Sequence, residues 1–288
     1  MKVDVTVSMP LLRAEKYLRA CIKALLAQTI SNFEIVAVED PPYDRAKSII
    51  DGFRDDRIRY LRNQGFLGVP KSQNKSLRLS EGKYIFFTDA DCIVSENWIE
   101  QGLKSFRDEN CVAVEGKTYY ISKDYVPTFS DHVIKNGESG QFMTCNMAYK
   151  RSVLESIGGF DERFDYLEDR DVGLRVLKVG KIHFNPDMVV YHQRVTVNPT
   201  QFVKTGGRIK NRVLLYEKFK EKEFILWRIL SPLELMATIF PPLVAGSLFR
   251  NRYVTKEDFA LLPFIYPRLV YERLSIWQMC AREKVFLI

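Results

Sequence analysis

The chain has 288 residues, 46% of them hydrophobic, and a formal net charge of +7. This length allows one large domain or one domain with an appendage, and the composition is ordinary for a globular protein with a sizeable core. Its five cysteines are scattered and form no C-x-x-C pair, which argues against a disulfide framework or a zinc site and favours a reducing cytosol. Residues 1–12 lack the pattern of a signal peptide, so we expect a cytoplasmic protein.

The charge is unevenly distributed along the chain. Residues 201–288 contain fifteen basic and eight acidic side chains, which accounts for the whole net charge, while residues 1–200 are balanced. A basic and partly apolar tail on a neutral body predicts contact with an anionic surface. The apolar content favours a membrane surface over nucleic acid. We therefore predict a globular domain over 1–200 and a helical, membrane-associated region over 201–288.

The first part of the chain alternates between strand and helix patterns. Periodicity predicts strands over 3–9, 33–38, 58–61 and 84–87, and helices over 15–28, 45–54 and 71–79. Pro10 is expected to end the first strand. Such alternation is typical of the α/β class, with a doubly wound, Rossmann-like and mostly parallel sheet flanked by helices.

The pattern continues with shorter elements. We predict strands over 112–120, 144–149, 182–184 and 189–192, and helices over 98–106, 151–157 and 169–179. Residues 121–141 fit no regular pattern.

Two acids follow the apolar run 84–87. Asp89 and Asp91 stand where this buried strand ends, and ligands of open α/β sheets bind at such strand ends. Two carboxylates there suit Mg²⁺ or Mn²⁺, which often also hold substrate phosphates. The alternative is structural, with Asp89 starting a turn and Asp91 capping a helix.

Further acids and one histidine stand at element ends. Asp40 follows the second strand, and residues 168–171 (Glu-Asp-Arg-Asp) open a helix. Helix capping explains Asp171, but a cluster of like charges beside a cation also keeps one carboxylate available as a general base. His192 ends an apolar strand. It is either a structural histidine or a ligand, since Mn²⁺ accepts one imidazole nitrogen.

Nine segments in order carry a family resemblance. They are Val7-Ser-Met-Pro10, Ala27-Gln28-Thr29, 33–40, Asn63-Gln-Gly65, 82–91, Asn146-Met-Ala148, 158–162, 168–171 and 186–192. Over about residues 3–210 the chain resembles inverting glycosyltransferases of family 2, which have the nucleotide-diphosphosugar-binding GT-A fold. The resemblance implies transfer of a sugar from a nucleotide diphosphosugar, usually UDP-linked in this family, to a glycan or lipid-linked acceptor with a hydroxyl or phosphate group.

The resemblance also implies roles for the donor-side residues. Asp40 would hydrogen-bond the nucleotide base, usually uracil, and Pro10 and Leu11 would line the base pocket. Asp89 would face the ribose or sugar beside the cation, and Asp91 would bind Mn²⁺ or Mg²⁺ directly.

The remaining implied roles concern the reaction. Asp169 would be the catalytic base, Glu168 would position the acceptor, and His192 would complete the metal or diphosphate site. Residues 72–76 lack the family's usual arginine, so we expect Lys71 or Arg13 to meet the donor phosphates.

Two rival functions and several tail arrangements stay open. A nucleotidyltransferase would require a Gly-rich, basic loop after the first strand, which residues 10–13 do not supply. A non-catalytic sugar- or membrane-binding relative is the second rival. The uncharged stretch 235–249 is shorter than a simple membrane span, which favours helices lying in the interface. A re-entrant hairpin, a packed appendage or a homodimer contact are the alternatives.

Overall fold

A computed structural model describes residues 3–12, 15–41, 45–125, 133–193, 198–220, 225–226, 229–240 and 258–287. Its contacts divide the chain into two compact units. The first unit comprises Met1–Lys123 and Ile134–Gln193, and the second comprises Asp124–Val133 and Arg194–Ile288.

The first unit is built on strands and helices in alternation. Its strands are β1 (Val5–Leu11), β2 (Phe33–Glu39), β3 (Ile58–Arg62), β4 (Tyr84–Phe87), β5 (Cys92–Val94), β6 (Cys111–Tyr120), β7 (Met147–Lys150) and β8 (Lys181–His192). Its helices are α1 (Glu15–Leu26), α2 (Ala46–Asp51), α3 (Val69–Leu79), α4 (Trp98–Ser105), α5 (Arg151–Ser156) and α6 (Glu168–Val176). The strands described form one sheet in the order β3-β2-β1-β4-β7-β6-β8-β5.

The sheet is mixed but mostly parallel, as the alternating pattern predicts. Strands β3, β2, β1 and β4 run parallel to one another, and β6 runs parallel to β8. Strand β7 is antiparallel to both β4 and β6, and β5 is antiparallel to β8. The parallel half places the carboxyl ends of β1, β2 and β4 at one edge of the sheet.

The core of this unit explains the continuous apolar runs. Every residue of β1 and β2 is buried, because helices cover both faces of these central strands. Helix α1 buries Leu18, Ile22 and Leu25 against the sheet, and Phe86 of β4 packs edge-on against Trp98 of α4 with ring centroids 5.1 Å apart. Each such side chain contributes roughly 1.5–3 kcal/mol of hydrophobic stabilisation.

The structure corrects the prediction that Pro10 ends the first strand. Strand β1 continues to Leu11. The Ser8 carbonyl, which faces β4, accepts from the Thr88 N–H. The next backbone N–H of β1 that would face β4 is that of residue 10, and β4 has already ended there. Proline lacks this N–H but loses no ladder bond there.

Other elements also differ from the sequence pattern. Residues Thr144–Asn146 form a 3₁₀ turn before β7 rather than the start of a strand. The two short strands expected around Pro186 are one strand, β8, whose register against β6 shifts at Gly116 and Lys117. Three-residue β5 was not predicted, because it is too short to show a periodicity.

The second unit is mainly helical in the residues described. It contains α7 (Pro199–Gly206), α8 (Asn211–Phe219), the two-residue strands β9 (Ile225–Leu226) and β10 (Ile229–Leu230), α9 (Pro232–Ile239) and α10 (Ile265–Glu283). Among the described helices of the chain, none combines the length and the apolar character needed to cross a membrane. Most of the uncharged stretch 235–249 lies outside the described residues.

Candidate active site

A tight turn and one strand pairing bring two distant parts of the chain together. After β4, the Cys92 N–H donates to the Asp89 carbonyl at 3.0 Å and closes a turn that contains Asp91. Strand β5 then pairs with β8 so that Cys92 lies opposite His192. The Gln193 N–H donates to the Asp91 carbonyl at 2.8 Å. The short strand β5 therefore sets the position of the acids relative to the histidine.

The resulting group of ligand atoms is compact. One ligand atom from each of Asp89, Asp91, Cys92 and His192 lies within 4.8 Å of the others. His192 Nε2 is 3.5 Å from Asp91 Oδ1, and its Nδ1–H donates to the Gln193 carbonyl at 2.9 Å. Because a carbonyl only accepts, the Nε2 lone pair is left available on the Asp91 side. We call Asp89, Asp91 and His192 the cation cluster, and its donor set fits Mn²⁺ or Mg²⁺.

Sequence reasoning missed Cys92 as a neighbour of this cluster. Burial and the adjacent Cys145 thiol raise the Cys92 pKa well above its ordinary value, so this thiol stays protonated. A protonated thiol is a poorer ligand than a carboxylate for a hard cation. All five cysteines of the chain are buried and free.

The carboxylates of the cation cluster repel one another. Burial, followed by the charge of Asp91, raises the pKa of Asp89 to about 7, and Asp169 adds to the effect. The charge of Asp169, at the start of α6, therefore acts on the carboxylate of Asp89 in the turn after β4. A divalent cation would relieve the repulsion among these carboxylates.

Asp169 lies in the first turn of α6. Its Oδ1 accepts from the Arg170 N–H at 2.7 Å, as expected of a carboxylate at a helix N-terminus. Burial nevertheless dominates and raises the pKa of Asp169 to about 6. A carboxylate with this pKa is ionised at neutral pH and is a competent proton acceptor. The neighbouring Glu168 is half-buried in the same turn.

A buried carboxylate orders the loop that supports α6. Glu115 of β6 is fully buried and accepts from the backbone N–H groups of Gly140, Gln141 and Phe142 and from the Asn136 amide. The Phe142 ring lies so close to Gly173 that a Cβ there would be 2.3 Å from it. No local pattern indicated a role for Glu115, because its partners lie in a stretch without periodicity.

The residues that the sequence predicts on the donor side lie at the carboxyl ends of β1 and β2. The Asp40 carboxylate is buried and accepts from Asn63 Nδ2 at 2.5 Å and from the Gly68 N–H at 2.7 Å. The Asp40 N–H donates to the Leu11 carbonyl at 3.2 Å, and Pro10 is the preceding residue of β1. Asp40, Pro10 and Leu11 therefore lie together, one strand away from the cation cluster.

Of the two basic residues expected to meet the donor phosphates, only Lys71 lies among the described residues. Lys71 lies in the first turn of α3, next to Ser72, whose hydroxyl accepts from Asn63 Nδ2 at 3.0 Å. Lys71 therefore follows directly on the loop that holds Asp40. Arg13 lies outside the described residues.

Comparison of the sequence with known families and proteins gives a consistent answer. Residues 6–160 match the family described as Glycosyl transferase family 2. The chain is 32% identical over 117 residues to Glycosyltransferase GlyG of Streptococcus pneumoniae serotype 4, covering 40% of this chain and 39% of GlyG. It is 28% identical over 184 residues to the Escherichia coli protein UDP-Glc:alpha-D-GlcNAc-diphosphoundecaprenol beta-1,3-glucosyltransferase WfaP, covering 61% of this chain and 71% of WfaP.

Solved structures with the same fold are also found. Staphylococcus aureus TarS 1–349 in complex with UDP matches with a TM-score of 0.56 and 17% identity, covering 99% of this chain and 93% of that one. The mannosyltransferase PcManGT from Pyrobaculum calidifontis, in complex with GDP-Man and Mn²⁺, matches with a TM-score of 0.63 and 17% identity, covering 96% and 88%. These likenesses confirm the GT-A fold.

Proposed function

Because this chain belongs to glycosyl transferase family 2, we propose that it transfers a sugar from a UDP-linked donor to an acceptor in glycan assembly, with inversion at the anomeric carbon. The observation that carries the proposal is the compact cation cluster, in which the charge of Asp169 helps to raise the pKa of Asp89. The family settles the class of enzyme, a glycosyltransferase. The donor, the cation and the acceptor are the parts that we propose.

The donor site is proposed at the ends of β1 and β2. Asp40 would accept from the base, each of its oxygens keeping a second lone pair beside the bonds from Asn63 and Gly68. Pro10 and Leu11 would line the base pocket, and Lys71 would meet the phosphates. The similarity to WfaP, named for UDP-Glc, and to TarS in complex with UDP favours uridine, whereas PcManGT holds GDP-Man.

The cation cluster is proposed to hold Mn²⁺ or Mg²⁺ through Asp89, Asp91 and His192. A bound divalent cation would neutralise charge on the departing nucleotide diphosphate. The Gln193 carbonyl orients the His192 ring for this purpose by accepting from Nδ1–H. The Mn²⁺ in the PcManGT complex supports a cation of this kind.

The reaction itself is proposed as one displacement. The acceptor oxygen attacks the anomeric carbon from the side opposite the diphosphate, a new carbon–oxygen bond forms, and the bond to the diphosphate oxygen breaks. The proton of the acceptor hydroxyl passes to the carboxylate of Asp169, whose raised pKa suits it as a base. Glu168, in the same helical turn, would position the acceptor.

The acceptor is proposed to be glycan or lipid-linked, at the cytoplasmic face of a membrane. The similarity to WfaP supports it, since the name of that protein specifies a diphosphoundecaprenol acceptor. The basic surplus of residues 201–288 also supports contact with a membrane surface.

The test is release of nucleotide diphosphate from candidate UDP-sugars in the presence of Mn²⁺. We expect Asp91→Ala and Asp169→Asn each to lower the rate by a factor of at least about 10². The control is Asp187→Asn, which changes an exposed carboxylate of β8 away from the cation cluster and should leave the rate unchanged. Activity that persists in both site variants would refute the assignment of these residues.

A further inference from the structure

Helix α10 (Ile265–Glu283) of the second unit buries two charged residues and exposes several large apolar ones. Its buried side holds Glu272 and Arg273, whose exposed fractions are only 7% and 3%, beside apolar residues such as Ile276 and Met279. Its solvent side carries the large apolar and aromatic residues Tyr266, Tyr271, Leu274 and Trp277, each exposed by 43–54%. We call these four residues the aromatic face. A water-soluble helix normally shows the opposite arrangement, with its charges outside.

Specific contacts fix this orientation of the helix. Arg273 Nη1 donates to the Leu230 carbonyl at 2.9 Å, and its Nη2 donates to the Ser231 carbonyl at 3.2 Å. Arg268, one turn earlier, donates to the Phe202 carbonyl and to the Thr205 hydroxyl. Rotating α10 to hide the aromatic face would break these bonds and take the buried Arg273 guanidinium away from the carbonyls that accept from it, which costs free energy. The aromatic face is therefore held outward by the interior of the unit.

The neighbouring helix α9 repeats the pattern. Leu233, Met236 and Ile239 are 68%, 54% and 75% exposed, and their spacing places them on one side of the helix. Ala237 is buried, and α9 packs against α10. Two packed helices thus both present large apolar residues to solvent, which is far more than the scattered exposure of ordinary surfaces.

Charge and residue type identify what covers these helices. Tyr and Trp, prominent in the aromatic face, favour the boundary between lipid and water because one end of each ring system is polar. Residues 201–288 also carry fifteen basic against eight acidic side chains. A second copy of the chain would bring two such basic surpluses together, whereas anionic lipid would neutralise them.

We propose that the aromatic face of α10, together with the exposed side of α9, binds the headgroup region of an anionic lipid bilayer, with α10 lying in the plane of the surface. This inference rests on the proposed membrane-linked function and names the residues that make the contact. The opposite side of α10 stays packed on its own unit, so only one side of the helix enters lipid.

The experiment is sedimentation of the full chain with vesicles of phosphatidylcholine, with or without phosphatidylglycerol. We expect the wild type to bind the mixed vesicles and to bind pure phosphatidylcholine much more weakly. The double variant Leu274→Glu/Trp277→Glu should bind the mixed vesicles at least about tenfold more weakly. Val179→Glu, which adds the same charge at a 53% exposed apolar position of the first unit, is the control and should bind as the wild type does.

Nucleotide diphosphate release from a soluble donor, without vesicles, separates this inference from the proposed function. The double variant should keep that activity, so its loss of binding would not reflect failure of the catalytic unit. Equal vesicle binding by the double variant and the wild type would overturn the proposal. So would a wild type that binds neither kind of vesicle and forms a dimer that the double variant dissociates, since a second copy would then cover the face.

A second measurement needs no disruptive variant. Brominated lipids in the mixed vesicles should quench tryptophan fluorescence of the wild type, and Trp277→Phe should abolish most of that quenching. Quenching that is the same in Trp277→Phe would place the lipid contact elsewhere and contradict the proposal.

Discussion

Single side chains in this protein owe their chemistry to where the backbone buries them. Asp169 and Asp89 are both aspartates, and burial raises the pKa of each, to about 6 and about 7. Asp89 also stands beside the charge of Asp91, so it is the carboxylate that gains most from a cation. Asp169 keeps a backbone N–H bond that favours its ionised form, and it is therefore suited to be the base.

This difference predicts the pH dependence of the reaction. Asp169 must be ionised to accept a proton, so kcat/KM should rise with pH and level off above about pH 6. A bound cation lowers this pKa, so the acidic limb should lie at or below that value in saturating Mn²⁺. Steady-state rates from pH 4.5 to 8 check the prediction. If the residual activity of Asp169→Asn showed the same fall of kcat/KM at low pH, the titration would belong to another group.

The acids at the strand ends could be predicted from the sequence, but their closest neighbours could not. Asp89 and Asp91 follow a recognisable buried strand, and His192 ends another. Cys92 follows Asp91 directly, but only the pairing of β5 with β8 places it beside His192, and such a long-range contact leaves no local pattern. The role of Glu115 could not be predicted for the same reason, since its partners are the distant backbone N–H groups of the loop 140–142.

Helix α6 depends on a close contact made by a glycine. Gly173 is buried one turn after Asp169, and the ring of Phe142 fills the space where a side chain would be. The loop that carries Phe142 is in turn held by Glu115. The position of the proposed base is thus set by an element far from it in sequence.

Substituting this glycine tests the link between packing and activity. Gly173→Ala places a Cβ at 2.3 Å from the Phe142 ring, and the overpacking should lower the free energy of unfolding by about 1–3 kcal/mol. Displacement of α6 should also lower kcat. Thermal denaturation and initial rates measure both effects. Gly137→Ala is the matched control, because nothing lies within 4 Å of its added Cβ. Equal behaviour of the two variants would show that α6 tolerates the change.

The regular elements of the first unit could largely be predicted, for a physical reason. Its central strands are buried on both faces and its helices carry one apolar stripe, so α1, β2, α3 and β4 follow directly from periodicity. The prediction ended strand β1 too early at Pro10. The strand continues because the missing N–H of Pro10 costs no hydrogen bond beyond the end of β4. That depends on the neighbouring strand, which the local sequence does not specify.

Across the whole molecule, the two units place ionisable groups differently. The first unit half-buries the carboxylates of its cation cluster, whereas the second buries Glu272 on the packed side of α10. Burial, aided by the charge of Glu234, raises the pKa of Glu272 to about 7. Its folded pKa exceeds its ordinary value of 4.5, so folding favours the protonated form. The stabilising effect of this proton is complete at low pH and is lost as pH rises through about 7.

Glu272→Gln should therefore stabilise the protein at alkaline pH. The amide resembles the neutral carboxyl, so the variant should gain roughly 1–3 kcal/mol over the wild type at pH 8 and show little difference at pH 4.5. Thermal or urea unfolding at the two pH values provides the comparison. Glu283→Gln, which makes the same change at the end of the same helix, is the matched control. A gain at pH 4.5 that disappears at pH 8 would have the wrong sign for this explanation.

The central claim is that Asp91 and His192, a hundred residues apart in the chain, hold one divalent cation. Titration of Mn²⁺ into the protein with UDP present, followed by electron paramagnetic resonance, measures this directly. Asp91→Asn and His192→Ala should each weaken Mn²⁺ binding by about 10–100-fold. Asp108→Asn and His183→Ala, the exposed pair with His183 Nε2 3.2 Å from Asp108 Oδ2, should bind as the wild type does. Wild-type Mn²⁺ affinity in both cluster variants would contradict the account.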